Sequence, residues 1–582
     1  MILQALKEYY DRKPDLPRAG FEMKEIPFVL MLNPDGTPIG LNETYEGEGK
    51  ARRAKLYLVP QTVKRAVNIA ANLLWDNPEY VLGVTLKGRP KRVVKQHAAF
   101  KQRVEDLGLM TDPGLAAVRS FLSRPDKVKA LQVFGSSWEE LKKTSANLSF
   151  QLAGQPGLIL EQPSVQAAVA TTVAGTAGGK SICLVTGETQ TMERLHTAIK
   201  GVWGAQSSGA NIVSFNLDAF RSFNKEQGAN APVGKTTAFA YTTALNQLLG
   251  KSSKQRMQVG DASTIFWSQR PSALEDHIVD FFGEPPRDDP DRNVRAVASL
   301  FRSVHTGAFS QEDSQTRFYV LGLGPNSSRI AVRFWIMETV AGMSGKICQY
   351  FEDTRIVHGA REQDTLSLFR LLVSTATQGK SENILPNLGA DMMRAILEGL
   401  PYPQTLLQAV IRRIRAEHDI TYPRAALIKA CLNRSTRFNN PKQEEELHVG
   451  LDLTNTNIGY RLGRLFATLE RIQIRKFTQK GGKEPNSTIR DKYYGSASGT
   501  PVAVFGTLIR LSKHHLANLD NMGERVNFEK LLGEIVCGIN DFPSYLQLDD
   551  QGRFAIGYYH QMQDFFTRRN DNYSHRKETD DE

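Results

Sequence analysis

The chain has 582 residues, 41 % of them hydrophobic, and its 73 Lys and Arg outweigh 62 Asp and Glu to give a net charge of +11. This length exceeds what one hydrophobic core usually serves, so we expect two to four domains. The composition excludes wholesale disorder, and the absence of any run of 18 apolar residues argues against a membrane-spanning segment.

The cysteines Cys183, Cys348, Cys431 and Cys537 are far apart and form no CxxC pair. A disulfide framework is therefore not expected, which is typical of the reducing cytoplasm. The amino terminus, MILQALKEYYDRK, is charged and amphipathic and does not have the pattern of a signal peptide. We expect a soluble, cytoplasmic protein with no membrane partner.

Residues 1–150 are predicted to form a first domain that mixes strands and helices. The strand-like segment Glu25–Leu32 precedes Asn33-Pro34-Asp35-Gly36, a strong turn signal, so a hairpin is expected. Helical patterns follow at Lys91–Leu107 and Lys127–Lys143.

Residues 151–380 are predicted to form a second mixed domain. The strands Phe318–Gly322 and Arg329–Ile336 are expected to be joined by a turn at Gly324-Pro325-Asn326. Apolar and polar residues alternate in the later strand, which indicates a sheet with one buried face.

Helical patterns dominate from residue 381 onward. Residues 381–448 are predicted to be a helical connector that ends in a polar linker, Asn433–Glu446, and residues 449–582 a helical bundle. The predicted fold class is therefore α+β and multidomain, with mixed N-terminal and middle domains and an all-helical C-terminal bundle. The predicted helices of this part are Met392–Leu400, Gln404–Glu417, Arg424–Leu432, Ile458–Lys476, Pro501–Asn518, Asn527–Cys537 and Arg553–Arg569.

A basic cluster in the first domain is the strongest chemical signal. Between residues 50 and 95, eleven cations are opposed only by Asp76 and Glu79. Neutralising phosphates would release counterions, so the cluster predicts salt-sensitive binding of nucleic acid. The alternative is a solvated basic face that has no partner. The cations are Lys50, Arg52, Arg53, Lys55, Lys64, Arg65, Lys87, Arg89, Lys91, Arg92 and Lys95.

Asn72, Trp75 and Asn77 lie within this cluster. An Asn amide can donate to acceptors in the minor groove, and an aromatic side chain can wedge a base step apart. Trp75 is expected to belong to the core instead, which leaves Asn72 and Asn77 as the better candidates for direct contact.

A second basic region opens the predicted C-terminal bundle, with eleven cations between residues 461 and 513. An apolar stripe on the helix Ile458–Lys476 is expected to face inward, so its arginines should mostly face outward. This arrangement predicts a row of exposed arginines, here called the arginine rail, that binds along a single strand of nucleic acid, although a solvated face fits the pattern equally well. The arginines concerned are Arg461, Arg464, Arg471 and Arg475.

Segment 180–249 crowds Gly, Ser, Asn and Gln between short apolar runs, which suits the binding of an extended polar partner. An ordinary loop-rich region is the alternative. The tetrapeptide Gly234-Lys235-Thr236-Thr237 resembles the end of a phosphate loop, but Ala229 replaces the first glycine that this motif requires. Binding of a nucleoside triphosphate is therefore not expected.

Patterns for catalysis and metal binding are also missing from the sequence. The eleven histidines form no HExxH motif, and His418-Asp419 is an isolated doublet. We therefore predict no active site, no metal and no cofactor. The rival interpretations are a nucleic-acid-processing enzyme, either a metal nuclease or an NTP-driven remodeller, and a purely structural scaffold.

Several longer segments resemble one known family. Together they are similar to the large subunit of the type I-C CRISPR surveillance complex, Cascade, and the likeness extends over essentially the whole chain. The segments are LWDNPEYVLG (74–83), CLVTGE (183–188), IKGVWGAQSSGANIVSFN (199–216), APVGKTTAFAYTTALNQLL (231–249) and LDLTNTNIGYRLGRLFATLE (451–470).

The resemblance implies a non-catalytic subunit that recognises the protospacer-adjacent motif on double-stranded DNA, promotes duplex opening and R-loop formation, and stabilises the non-target strand. Guide pairing would read the target sequence while the protein reads the adjacent motif. The implied partners are crRNA, the backbone, crRNA-processing and small subunits of Cascade, target DNA and a helicase-nuclease. The family also implies that an internal start near Val449 yields a separate small subunit.

Within this resemblance, the first domain would be the reader of the adjacent motif. Its expected DNA contacts combine the chemistry of the basic cluster with its N-terminal position. These contacts are Lys50, Arg52, Arg53, Lys55, Asn72, Asn77, Lys87 and Arg89.

Overall fold

The computed structural model describes residues 1–47, 49, 52–63, 69–86, 89–174, 179–285, 288–289, 291–305, 315–442 and 447–579. The chain divides into two compact units, the first built mainly from 3–197 and 213–244, the second from 198–212 and 245–582. Several small sheets are combined with many helices, which confirms the predicted α+β multidomain class. Of the helices described, none has the length and apolar character needed to cross a bilayer.

The strands of the first unit form one four-stranded sheet, in the order β3-β2-β8-β7, and three two-stranded ribbons, β1-β6, β4-β5 and β9-β10. The strands are β1 Phe21–Glu25, β2 Phe28–Leu32, β3 Pro38–Glu43, β4 Tyr45–Glu46, β5 Arg53–Ala54, β6 Leu56–Pro60, β7 Trp75–Asp76, β8 Leu148–Leu152, β9 Lys180–Ile182 and β10 Thr189–Thr191.

The predicted hairpin is confirmed at β2 and β3. Gly36 takes a φ of +83°, and a Cβ there would lie 2.6 Å from the backbone nitrogen of Phe121, so only glycine fits this turn. Strand β2 is almost entirely buried and pairs in parallel with β8, with Leu30 opposite Phe150. A strand flanked on both edges needs such a continuous apolar run.

Helices cover the first sheet and follow it along the chain. The predicted helix Lys127–Lys143 is divided in two, because Gly135 adopts a φ of +48° between its halves. The helices up to residue 248 are α1 Ile2–Asp11, α2 Pro78–Val81, α3 Pro90–Glu105, α4 Pro113–Ser123, α5 Lys127–Gln132, α6 Gly135–Thr144, α7 Pro163–Ala174 and α8 Lys235–Leu248.

The second unit begins with an antiparallel sheet in the order β11-β12-β13-β14. The predicted turn at Gly324-Pro325-Asn326 is wrong, because these residues extend β13 and the chain reverses at Ser327, which has a φ of +54°. Asn211 bridges Arg329 in this sheet, which explains why 198–212 belongs to the second unit. The strands are β11 Arg256–Val259, β12 Ala262–Ser268, β13 Arg317–Asn326 and β14 Arg329–Thr339.

One hydrophobic core extends from this sheet into the C-terminal helices, from Val259 to Tyr559. Helix α16 is central in the helical part, since α17, α18, α19 and α20 all pack against it. The helices that the structure describes in the second unit are α9 Leu274–Phe282, α10 Arg292–His305, α11 Val340–Thr354, α12 Leu368–Val373, α13 Leu388–Glu398, α14 Gln404–Glu417, α15 Tyr422–Asn439, α16 Ile458–Thr478, α17 Ile489–Gly499, α18 Phe505–Ala517, α19 Met522–Cys537 and α20 Leu548–Thr579.

The predicted linker Asn433–Glu446 is wrong where the structure describes it, because its first residues continue helix α15. Asn433 is fully buried and exchanges two hydrogen bonds with the backbone of Leu447, at 2.7 and 3.1 Å. Arg434 is 3 % exposed and contacts the buried carboxylate of Asp353 at 3.1 Å. Burial raises the pKa of Asp353, although Arg434 and Arg437 oppose this shift. These polar residues therefore form buried hydrogen bonds and ion pairs within the core and are not part of a linker.

Candidate nucleic-acid interface

The first group of predicted contact residues lies on the ribbon formed by β4 and β5. Tyr45 is opposite Ala54 and Glu46 is opposite Arg53 in the antiparallel register. Ala54 is buried while its neighbours Arg53 and Lys55 are exposed, because successive side chains of an extended chain point to opposite sides. Arg53 and Lys55 are therefore presented together to solvent.

Arg52, next to them, is exposed but held in place. Its Nη2 lies 3.1 Å from Glu43 Oε2, and its guanidinium lies 4.1 Å from the centre of the Tyr45 ring. An exposed ion pair of this kind contributes only about 0–1 kcal/mol, so a phosphate could displace the carboxylate. We call Arg52, Arg53 and Lys55 the ribbon cations.

A second group of cations lies at the start of helix α3. Arg89 is the N-cap residue, Pro90 fills the first position, and the first turn contains no acidic residue. Positive charge at a helix N-terminus is disfavoured by about 0.3–1 kcal/mol per residue. Folding therefore gains nothing from this arrangement, whereas a bound polyanion would be favoured there. The exposed cations of this group, here called the helix cations, are Arg89, Lys91, Arg92 and Lys95.

The two acids of the basic cluster are turned into the fold. Asp76 is 1 % exposed, and its carboxylate accepts hydrogen bonds from the backbone N–H groups of Asn72 and Asn77, both at 2.9 Å. Glu79 is 9 % exposed and accepts from the N–H of Leu86 at 3.4 Å. Between residues 52 and 95, the exposed charged side chains that the structure describes are therefore all positive, while Glu43 and Glu46 are exposed acids beside Arg52 and Arg53 on the neighbouring strands.

The predicted contact residue Asn72 does not lie at the surface. It is 3 % exposed, and its Oδ1 accepts a hydrogen bond from the N–H of Val63 at 3.0 Å. Asn77 caps helix α2 by accepting from the N–H groups of Glu79 and Tyr80. The prediction that Asn72 is available at the surface for direct contact is therefore wrong for this fold. Its amide holds the loop at Val63 by this hydrogen bond, so a base contact would require the loop to rearrange.

The other predicted residues of this region belong to the core or lie outside the described residues. Trp75 is buried, as predicted, and its Nε1 donates to the carbonyl of Pro60 at 2.9 Å. Lys50 and Lys87 are among the residues that the structure does not describe, as are the neighbouring cations Lys64 and Arg65.

Helix α3 also carries a half-buried histidine, His97. The Nδ1 of His97 lies 2.8 Å from the carbonyl oxygen of Tyr80. Burial lowers the pKa of His97 to about 4, assisted by the charges of Lys127 and Lys101, although the hydrogen bond to Tyr80 opposes the shift. His97 is therefore neutral near pH 7, and it donates from Nδ1 to the carbonyl.

The predicted arginine rail on helix α16 is largely engaged inside the bundle. Arg464 is 4 % exposed, its Nε donates to Gln561 Oε1 at 3.1 Å, and burial lowers the pKa of its guanidinium. Arg475 makes two hydrogen bonds to Glu524, at 2.5 and 2.9 Å, which raise its pKa. The outward orientation expected for Arg464 is wrong, because a helix surrounded by four others has little outward face.

The remaining two arginines of this helix also make contacts within the bundle. The Nε of Arg461 donates to the carbonyl of Asn455 at 2.8 Å, and its Nη1 donates to the carbonyl of Gly538. The guanidinium of Arg471 lies 5.7 Å from the ring centre of Phe566. The four arginines thus stabilise the packing around α16, which weakens the case for a strand-tracking surface.

The described residues also bear on metal and phosphate binding. Within the described ranges, no three His, Cys, Asp or Glu side chains are grouped so that they could hold a metal ion. The segment before Lys235 contains a short 3₁₀ helix, Gln227–Asn230, where a phosphate loop requires a buried strand. The tetrapeptide that begins at Gly234 is therefore not a phosphate loop.

The predicted contact set omits Lys91, Arg92 and Lys95, although all three belong to the basic cluster. A signal was available in the sequence, because cations in the first turns of a predicted helix occupy positions where acids are normally favoured. Their exposure next to Arg89 makes them stronger candidates than the buried Asn72.

The fold and the site define an α+β, multidomain protein that exposes two groups of cations on its first unit. The chain belongs to a family of CRISPR-associated proteins, Cas_Csd1, whose model matches residues 6–566. This match spans nearly the whole chain and is consistent with the resemblance to the large subunit of type I-C Cascade. A search of curated proteins finds no match. The protein is therefore a CRISPR-associated protein of the Cascade type.

Proposed function

We propose that the ribbon cations and the helix cations bind double-stranded target DNA next to the protospacer. The observation that supports this proposal is the separation of charge in the basic cluster. Its described cations are exposed, while the two acids, Asp76 and Glu79, are buried. Contacts between such cations and phosphates release counterions and give binding that weakens steeply with salt.

The same two groups of cations are proposed to read the protospacer-adjacent motif. Phosphate contacts position a protein on the duplex, whereas contacts with base edges supply specificity. Arginine can donate two hydrogen bonds to the O6 and N7 atoms of guanine. Arg89 and Arg92 are therefore the candidates for base contacts, while Arg53, Lys55, Lys91 and Lys95 are suited to phosphates.

The proposed role after DNA capture is mechanical and not chemical. The protein would help to open the duplex, promote R-loop formation, stabilise the non-target strand and support recruitment of the helicase-nuclease, while crRNA pairing reads the target. Its partners would be crRNA and the backbone, crRNA-processing and small subunits. The family match supports membership in such a complex.

Binding of matched duplexes with and without the adjacent motif tests this proposal. The full crRNA-bearing complex is expected to bind the motif-bearing duplex more tightly, and Arg89→Ala/Arg92→Ala should reduce that preference. Equal affinity of the wild-type complex for both duplexes would contradict motif reading. With duplex, ATP and Mg²⁺, the isolated chain is expected to leave DNA and nucleotide intact, and cleavage or turnover would favour the enzyme alternative.

A further inference from the structure

A cavity in the first unit combines features that suit a nucleotide. Its volume is about 560 Å³, within the range of small-molecule sites. Every residue that lines it belongs to the first unit. The lining comes from the loop before β1, strands β9 and β10, helix α7 and the start of helix α8, so segments distant in sequence converge there.

Three cations from separate segments line this cavity. Arg18 precedes β1, Lys180 begins β9, and Lys235 begins helix α8. Glu193 also lines the cavity, so positive charge exceeds negative charge among its lining residues. Converging cations and the start of a long helix provide the charge-assisted hydrogen bonds that phosphates prefer.

A fixed set of polar groups shapes one side of the cavity. Gln190 Oε1 accepts a hydrogen bond from Thr236 Oγ1 at 3.1 Å, while Gln190 Nε2 donates to Glu188 Oε2 at 3.0 Å. A Cβ on Gly234 would lie only 1.7 Å from Gln190 Oε1. The glycine therefore permits the close approach, and these groups are ordered before any ligand arrives.

An aromatic wall completes the lining. Phe239 packs edge-on against Tyr10, with ring centres 6.0 Å apart and planes at 87°. Ala170 and Ala238 provide further apolar surface beside it. A flat aromatic ligand can stack on such a wall, and base stacking on aromatic side chains tolerates any base.

We propose that this cavity binds one nucleotide unit, with its phosphate paired by Arg18, Lys180 and Lys235 and its base against Phe239. Cations alone would accept any anion, and the aromatic wall alone would accept any apolar ring, but their combination matches both halves of a nucleotide. The nucleotide could be free or belong to a bound strand. A second cavity of about 510 Å³ shares Arg18 and Ala170 with the first, which leaves room for a strand to continue.

Calorimetric titration of the full chain distinguishes these two sources. The ligands are adenosine 5′-monophosphate, inorganic phosphate and a short 5′-phosphorylated single-stranded oligonucleotide. Saturable binding of the mononucleotide would identify a free nucleotide, whereas binding of the oligonucleotide alone would identify a nucleotide within a strand. Arg18→Ala/Lys180→Ala should weaken that binding by at least about tenfold, since it removes two charged contacts.

A matched control is Lys129→Ala/Lys143→Ala, which removes equal charge from exposed positions of the same unit and should leave binding unchanged. Phe239→Leu should reduce the preference for nucleotide over inorganic phosphate. The proposal is overturned if wild-type chain binds neither the mononucleotide nor the oligonucleotide, or if Arg18→Ala/Lys180→Ala binds them as tightly as wild type. Duplex capture by that variant should remain intact, so failure here is distinguishable from failure of the proposed function.

Discussion

Removal of positive charge from the β4-β5 ribbon is the sharpest test of the proposed DNA surface. We choose the double variant Arg53→Ala/Lys55→Ala, because both side chains are exposed on either side of the buried Ala54. Arg52 is kept, since Glu43 and Tyr45 hold it and its loss would disturb local packing. The two substitutions remove no buried atom, so the free energy of unfolding should change by less than about 0.5 kcal/mol.

The expected loss of affinity follows from the number of contacts. Each phosphate contact that is lost should reduce the slope of log K against log salt concentration by about 0.9, so two contacts should reduce it by about 1.8. The same relation predicts that duplex capture weakens about 60-fold near 0.1 M salt but only about ninefold near 0.3 M. The ratio between the two conditions therefore separates a phosphate contact from general damage.

Fluorescence anisotropy with a labelled, motif-bearing duplex would measure this effect across a salt series, for the full chain and for the crRNA-bearing complex. Lys129→Ala/Lys143→Ala is the control, because it makes the same change in net charge on helices α5 and α6. Equal weakening by both variants would show that net charge is responsible. An unchanged slope for Arg53→Ala/Lys55→Ala would refute the proposed phosphate contacts.

Four further predictions concern the stability of the fold. Asn72→Ala should lower the free energy of unfolding by about 1–3 kcal/mol, because it removes the buried amide that accepts from the partly buried N–H of Val63; lost motif discrimination at unchanged unfolding temperature would contradict this structural role. Arg434→Met should cost about 3–5 kcal/mol in urea unfolding, since Asp353 would lose a buried partner, and an unchanged midpoint would refute this. Gly463→Ala should cost about 1–3 kcal/mol, because a Cβ would lie 2.0 Å from a carbonyl oxygen of helix α20; an unchanged unfolding temperature would show that the helices are not so close. His97 is neutral in the fold, because its pKa is about 4 there against 6.5 in the unfolded chain. Its contribution to the free energy of unfolding is therefore complete above pH 6.5 and is lost as the pH falls towards 4. The unfolding temperature of wild type should fall more steeply with pH in this window than that of His97→Gln, and parallel profiles would contradict this prediction.

Much of the fold follows from local sequence signals. The turn residues Asn33-Pro34-Asp35-Gly36 predict the β2-β3 hairpin, and the helix Gln404–Glu417 begins and ends where its apolar spacing predicts. Both features depend on interactions within a few residues, so the sequence contains their cause. Gly135 shows the limit of such signals, because a glycine inside a helical pattern does not show whether the chain will adopt a positive φ there.

The sequence predictions fail mainly at polar side chains that the fold buries. The sequence predicts Asn72, Asn433 and Arg464 to be surface or linker residues, yet each is buried and forms hydrogen bonds inside the fold. Their partners lie 9 to 97 residues away, so local sequence patterns do not reveal them. The basic cluster was easier to predict, because exposure is the default state of clustered charges.

A structure of the crRNA-bearing complex bound to a motif-containing duplex, determined by electron cryo-microscopy, tests the central claim most directly. We expect DNA phosphates within hydrogen-bonding distance of Arg53 and Lys55, and the duplex next to the protospacer against the start of helix α3. A duplex that enters the complex elsewhere, with the ribbon cations and the helix cations in solvent, would contradict the proposed function.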